Sequence, residues 1–123
     1  MLRLVAQYAD WWDIGRLSAD EYRRYAAELE RICDDVGRDP ATIRRSCWFE
    51  LCACARKRKA AVTLAGWRYK KEPGFVGTPE QIVEQLRPFM ELGVDRFELG
   101  CSGFPDLTTL ELLISDVLPA LRT

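Results

Sequence analysis

The sequence contains no histidine. Ser/His and Cys/His nucleophilic catalysis are therefore excluded within the chain. No C-x-x-C pair occurs among its five cysteines, Cys33, Cys47, Cys52, Cys54 and Cys101, so no metal is expected. The cysteines are odd in number and lack framework spacing, which predicts reduced thiols in the cytoplasm rather than a disulfide scaffold. No apolar run approaches the length of a membrane span. The first twelve residues alternate apolar and polar side chains and carry Arg3 and Asp10, unlike a secretory leader. Repeats, low-complexity tracts and linkers are missing too, so residues 1–123 read as a single unit. The formal net charge is only -1, too small to draw the whole chain toward nucleic acid or an acidic bilayer.

What remains is ordinary globular material, 48% hydrophobic and 30% charged, enough for one modest core. Leu2, Leu4, Val5, Tyr8 and Ala9 fit one helical face, and residues 11–14 form a bulky strand-like run. Ser18 and Glu21 make a capping box. Tyr22, Tyr25, Ala26, Leu29, Ile32, Cys33 and Val36 then recur at helical spacing until Gly37 ends the helix. A buried strand is predicted over 43–54. Residues 56–71 read as a basic-faced helix or a partly ordered loop, and 73–77 as a break. Thr78-Pro79-Glu80-Gln81 opens a helix burying Ile82, Val83, Leu86, Phe89 and Met90. Residues 94–99 form a strand and 100–105 a loop. Asp106 then caps a last helix predicted to bury Leu107, Leu110, Leu113, Ile114, Val117 and Leu121, with its end loosened by Pro119. Such alternation argues for parallel strands with crossover helices, an α/β fold that open sheets and barrels both satisfy.

Charge is unevenly placed. Residues 56–71 hold seven basic side chains (Arg56, Lys57, Arg58, Lys59, Arg68, Lys70, Lys71) and no acidic one. With only Trp67 and Tyr69 as aromatic neighbours and an acidic remainder, this reads as a solvated face rather than a nucleic-acid site.

Three stretches, LRLVAQYADWWDIG, VGRDPATIRRS and GFVGTPEQIVEQLRPFMELGVDRFELGCSGFPDLTTLELLISDVLPALR, resemble the luciferase-like monooxygenase family, especially its coenzyme F420-dependent (deazaflavin) branch. They cover most of the chain; residues 52–72 match weakly, because the family tends to an acidic, alanine-rich helix where this chain has ARKRKAAVTLAGWRYKK. The resemblance implies parallel β/α units forming part of a (β/α)8 TIM barrel, with residues 11–14, 43–54 and 94–99 as its last three strands. It implies a flavin- or F420-dependent oxidoreductase or monooxygenase that transfers hydride to or from a small organic substrate. The Gly-rich strand end expected just before Met1 and the five earlier strands do not appear in this sequence, so the chain reads as a C-terminal fragment, inactive alone. Neither FMN nor F420 is then expected to bind it tightly. Self-association is expected, and neither nucleic acid nor membrane. The alternatives are a non-catalytic remnant, a subunit that pairs to complete its barrel, or a small α/β binding module.

In such barrels the active site lies at the C-terminal ends of the strands, and the cofactor ring carries the chemistry. Trp12 and Asp13 are candidates to wall or orient a substrate; the alternative is that Trp11 and Trp12 are core packing between strand and helix. Gly100, Cys101, Ser102, Gly103 and Phe104 form the second candidate, where glycines admit close backbone approach and Ser102 offers a hydroxyl. An ordinary turn into the Asp106 cap is the alternative. Gly77 and Thr78 stand at a helix N-terminus able to hold an anion, although capping alone explains them. Glu50 and Glu98, if they point inward, call for a partner such as Arg44 or Arg96.

Overall fold

The computed structural model describes residues 1–122. In chain order the elements are α1 (Leu2–Tyr8), β1 (Trp11–Gly15), α2 (Ala19–Val36), β2 (Arg44–Cys54), α3 (Arg58–Ala65), β3 (Gly74–Gly77), α4 (Pro79–Glu91) and β4 (Val94–Cys101). A final helix follows as α5 (Thr108–Leu112), a π turn (Leu113–Val117) and α6 (Leu118–Leu121). The chain divides into two compact units. One joins Met1–Trp48 to Phe89–Glu98; the other joins Phe49–Pro88 to the residues from Leu99 onward.

In the first unit β1 pairs in parallel with the start of β2, from Trp11 opposite Arg44 to Gly15 opposite Trp48. The capping box forms as expected. The Ser18 hydroxyl accepts from Glu21 N (3.1 Å) and the Glu21 carboxylate accepts from Ser18 N (3.0 Å). Gly37 closes α2 in the left-handed conformation, φ 76°, that any side chain would resist. The apolar stripe of α2 buries Tyr22, Ala26, Leu29, Ile32 and Cys33. Tyr22 stacks on Trp12 at 5.1 Å and meets the edge of Phe89 at 5.8 Å. In α1 the expected face is not the buried one: Ala6 is buried while Leu4 and Tyr8 are exposed. The side chain of Arg38 decides this end of the helix by donating to the Ala6 carbonyl (3.3 Å) and the Ala9 carbonyl (2.8 Å), acceptors that a helix terminus leaves open.

In the second unit the rest of β2 pairs in parallel with β3, from Leu51 opposite Gly74 to Cys54 opposite Gly77. This strand occupies the stretch read as a break, because Phe75 and Val76 are too short a run between glycines to signal a strand alone. Gln85 satisfies the remaining polar groups of Val76, accepting from its N–H (3.1 Å) and donating to its carbonyl (3.0 Å). Strand β4 also pairs with β2. The basic segment begins as helix α3, which buries Ala61 and Ala65 against Leu51, Ala53, Ala55 and Val76. The π turn lies where the final helix meets Pro119, which has no N–H to offer the Ser115 carbonyl.

The final helix is rotated from the expected phase. It buries Thr109, Leu112 and Val117, while Leu107, Leu110 and Ile114 are 48%, 43% and 60% exposed. Thr109 explains the rotation, because its hydroxyl turns inward to the β2 backbone. Among the described residues no helix is long and apolar enough to cross a membrane.

Candidate functional site

The candidate residues fall in two places, one in each unit. In the first unit Trp12 is buried between β1 and α2. Its neighbour Asp13 points the other way, as strand alternation requires, and accepts from the buried Ser46 hydroxyl at 2.7 Å. Trp11 shares that polar face with Arg44 over its ring at 4.2 Å and Arg96 at 5.7 Å. Glu98 lies 3.8 Å from Arg96, and Arg44 reaches Asp95 at 3.2 Å. Trp12 and Phe97 both face helices, Trp12 stacking on Tyr22 and Phe97 meeting Phe89 edge-on at 6.3 Å. Burial pushes the Cys47 thiol up to about 12, with Asp13 adding to the effect.

In the second unit the end of β2 and the turn after β4 meet at Thr109, which sequence reasoning missed. Its Oγ1 accepts from Cys54 N at 3.0 Å and lies 3.3 Å from the Cys54 carbonyl and 3.4 Å from the Ser102 carbonyl. Ser102 N donates to the Cys52 carbonyl at 2.8 Å. Gly100 is required by strand packing, since a Cβ there would fall 2.6 Å from the Glu50 carbonyl oxygen. The partner of its close approach is therefore β2. Cys101 is half-buried, and desolvation raises its thiol. Gly103 holds φ 101°, and Phe104 is largely exposed to solvent. Thr78 and Gln81 complete a capping box, with Gln81 Oε1 accepting from Thr78 N (3.0 Å) and Thr78 Oγ1 accepting from Gln81 N (3.3 Å). Gly77 accepts from Ala55 N at 3.2 Å. Glu50 finds its cation in Arg68, 4.0 Å away, rather than in the nearby strands.

Beside these strand ends Arg56 pairs with Asp116, which also accepts from Ser115. The Ser115 and Arg56 hydrogen bonds hold the Asp116 carboxyl below its usual range. A cleft of about 340 Å³ is lined by Pro79, Glu80, Val83, Ser115, Asp116 and Ala120.

These residues do not make a cradle for the flavin or F420 that the resemblance implies. The backbone donors at the strand ends (Cys54, Ala55, Thr78 and Ser102) are all spent on the protein's own acceptors. The cleft presents two carboxylates and no base, the wrong sign for a phosphate-bearing cofactor. Left available are the Ser102 hydroxyl and the Phe104 ring, one polar and one apolar contact. No group of three or more potential metal ligands occurs among the described residues.

No protein-family model and no curated protein matches this chain. Solved structures do match it. A coenzyme F420-dependent tetrahydromethanopterin reductase from Methanopyrus kandleri superposes with a TM-score of 0.76 at 14% identity, over 98% of this chain and 48% of that one. An F420-dependent secondary alcohol dehydrogenase in complex with an F420–acetone adduct gives 0.72 at 18% identity, over 99% and 46%. A riboflavin lyase with modified FMN and riboflavin gives 0.73 at 13%, over 98% and 40%. The chain thus spans about half the length of these proteins or less. Identity this low shows the fold alone, and that fold is part of a (β/α)8 barrel, built of parallel β/α units.

Proposed function

We propose that this chain is one part of a flavin- or F420-dependent oxidoreductase, whose whole site transfers hydride between the reduced cofactor and a small organic substrate. One observation carries the reading: nearly the entire chain superposes on two F420-dependent enzymes and on a riboflavin lyase holding modified FMN. In this reading the chain contributes pocket wall, through Ser102 and Phe104 beyond β4. It does not contribute the phosphate cradle, since its strand-end donors are already engaged.

Titration of the purified chain with F420 and with FMN, followed by absorbance and fluorescence, tests this. Saturable but weak perturbation is expected, with a dissociation constant above about 100 µM, the few kcal/mol that a handful of contacts supplies. No saturable change with either cofactor would sink the oxidoreductase reading. A constant near 1 µM, about -8 kcal/mol, would show a complete site within these residues and overturn the claim that they form only part of one.

A further inference from the structure

Two surfaces of the second unit have, Phe104 apart, no role in the reading above. The first is apolar. Leu107, Leu110, Ile114 and Leu118 follow one another at intervals of three and four residues and are 42–60% exposed, with Phe104 at 83% just before them. They make one stripe along the final helix, whose opposite side already buries Leu112 and Val117. A helix apolar on both sides is suited to being covered on both, and a contiguous stripe of this kind marks an interaction face. The charges beside it are all acidic, Asp106, Glu111 and Asp116, with no base between residues 104 and 121.

The second surface is basic. Of the seven cations in 56–71, Arg56 is held by Asp116 and Arg68 by Glu72 and Glu50. Arg58 donates to the Tyr69 hydroxyl and the Val76 carbonyl. Lys57, Lys59, Lys70 and Lys71 form no ion pair among the described residues. Three of the cations crowd the N-terminal end of α3, which has no acidic residue in its first turn and no side-chain cap. That is the end of a helix where positive charge is disfavoured and an anion is favoured. Trp67, just past the C-terminal end of α3, is 74% exposed, with the Arg68 guanidinium over its ring at 5.1 Å. The Arg56–Asp116 pair sits where the basic and the acidic surfaces meet.

We infer that the two surfaces form one self-complementary interface whose partner is a second copy of this chain. The basic face of each copy lies against the acidic, apolar helix of the other. A two-fold axis makes both contacts at once, because in an isologous interface each patch meets its complement on the partner. The charge pattern favours this occupant. A nucleic acid or an anionic bilayer drawn to Lys57 and Lys59 would also meet Asp106 and Glu111, which repel it, whereas a second copy satisfies both signs. Trp67 and Phe104 supply the exposed aromatic anchors on which interfaces of this type centre. The inference does not rest on the cofactor reading, since it needs no flavin and shares only Phe104 with the proposed pocket wall.

The test is size-exclusion chromatography with light scattering, backed by sedimentation. The expected species has twice the 14.1 kDa chain mass and dissociates as salt is raised. Ile114→Asp, on an exposed position, is expected to give a monomer with an unchanged circular dichroism spectrum. Lys59→Glu and Glu111→Lys should each weaken association about tenfold, and the double reversal should restore most of it. A chain that is monomeric at roughly 100 µM, well above the range of stable dimers, overturns the proposal. So does a dimer indifferent to salt and to a folded Ile114→Asp variant. Binding of a single-stranded oligonucleotide or of anionic vesicles by a monomer, abolished by Lys59→Glu, would overturn it in favour of a polyanion.

Discussion

Thr109 shows how one side chain positions the candidate loop. Its buried hydroxyl serves the end of β2 and the Ser102 carbonyl together, so the turn after β4 is held to the neighbouring strand. Thr109→Val keeps the shape and strands the Cys54 N–H without an acceptor, which costs about 1–3 kcal/mol. Urea unfolding should record that loss, and an unchanged midpoint would remove Thr109 from this role. Tyr22 predicts the opposite sign. Its hydroxyl is buried with no hydrogen-bond partner, and burial, reinforced by the nearby Cys47, drives its pKa upward. Tyr22→Phe keeps the stack on Trp12 and should raise stability by about 1 kcal/mol; a lower midpoint would show that the hydroxyl has a partner in solution. Neither residue was legible as such in the sequence. A threonine three residues after a capping aspartate reads as solvent-facing, and nothing in a helical stripe distinguishes a satisfied tyrosine from an unsatisfied one. Gly100 was legible as a close approach but not as to its partner, because β2 lies fifty residues away in the chain.

At the level of elements, the two helices that follow β1 and β2 differ sharply in how they begin. Helix α2 starts with a complete capping box and acidic residues in its first turn. Helix α3 starts at Lys57 with neither. Ser18→Ala should therefore cost about 1 kcal/mol, and Lys57→Ser should gain a similar amount by supplying a cap and removing a misplaced cation. Thermal melts of dilute samples would compare them directly, dilution separating this effect from any change in association. Equal shifts of the same sign would contradict the capping argument. The helices with strong periodicity, α2 and α4, could be read from sequence because caps and stripes are local signals. Strand β3 could not, since its partner alone makes it a strand. The final helix is legible as a helix and Val117 as one of its buried residues, but Thr109 and Leu112 turn inward where Leu107, Leu110 and Ile114 are expected. It has leucines on every side, so periodicity could not choose among them, and the choice fell to Thr109 and the β2 backbone.

Across the whole molecule, the alternation of strands and helices was enough to imply parallel β/α units. The polar face around Asp13 and the convergence on Thr109 needed coordinates, because each is assembled from distant segments. The titrating groups likewise act as a set. With no histidine, no side chain at its ordinary value changes charge between about pH 5 and 8, and stability should be flat there. On the acid side, Glu21, Asp106 and Asp116 are lowered by their hydrogen bonds. Such groups stabilise above their unfolded values and lose that contribution as pH falls through the folded ones. All three are at the surface, so the acid loss should be shallow. The alkaline side is different. Burial raises Cys47 from 9.0 to about 12 and Cys54 from 9.0 to about 11, and it also raises Cys33, Cys52 and Cys101. A group raised in the folded state stabilises fully below its unfolded value and loses that contribution as pH climbs toward the folded one. Thiols in both units are involved, so neither unit escapes. Urea midpoints measured at fixed protein concentration should thus hold level through neutrality and fall steeply above pH 9, and Cys47→Ser should make that fall shallower. A midpoint unchanged to pH 11 would mean that the cysteines are not buried as the structure places them, and a step between pH 5.5 and 7.5 would contradict the flat neutral range that the lack of histidine implies.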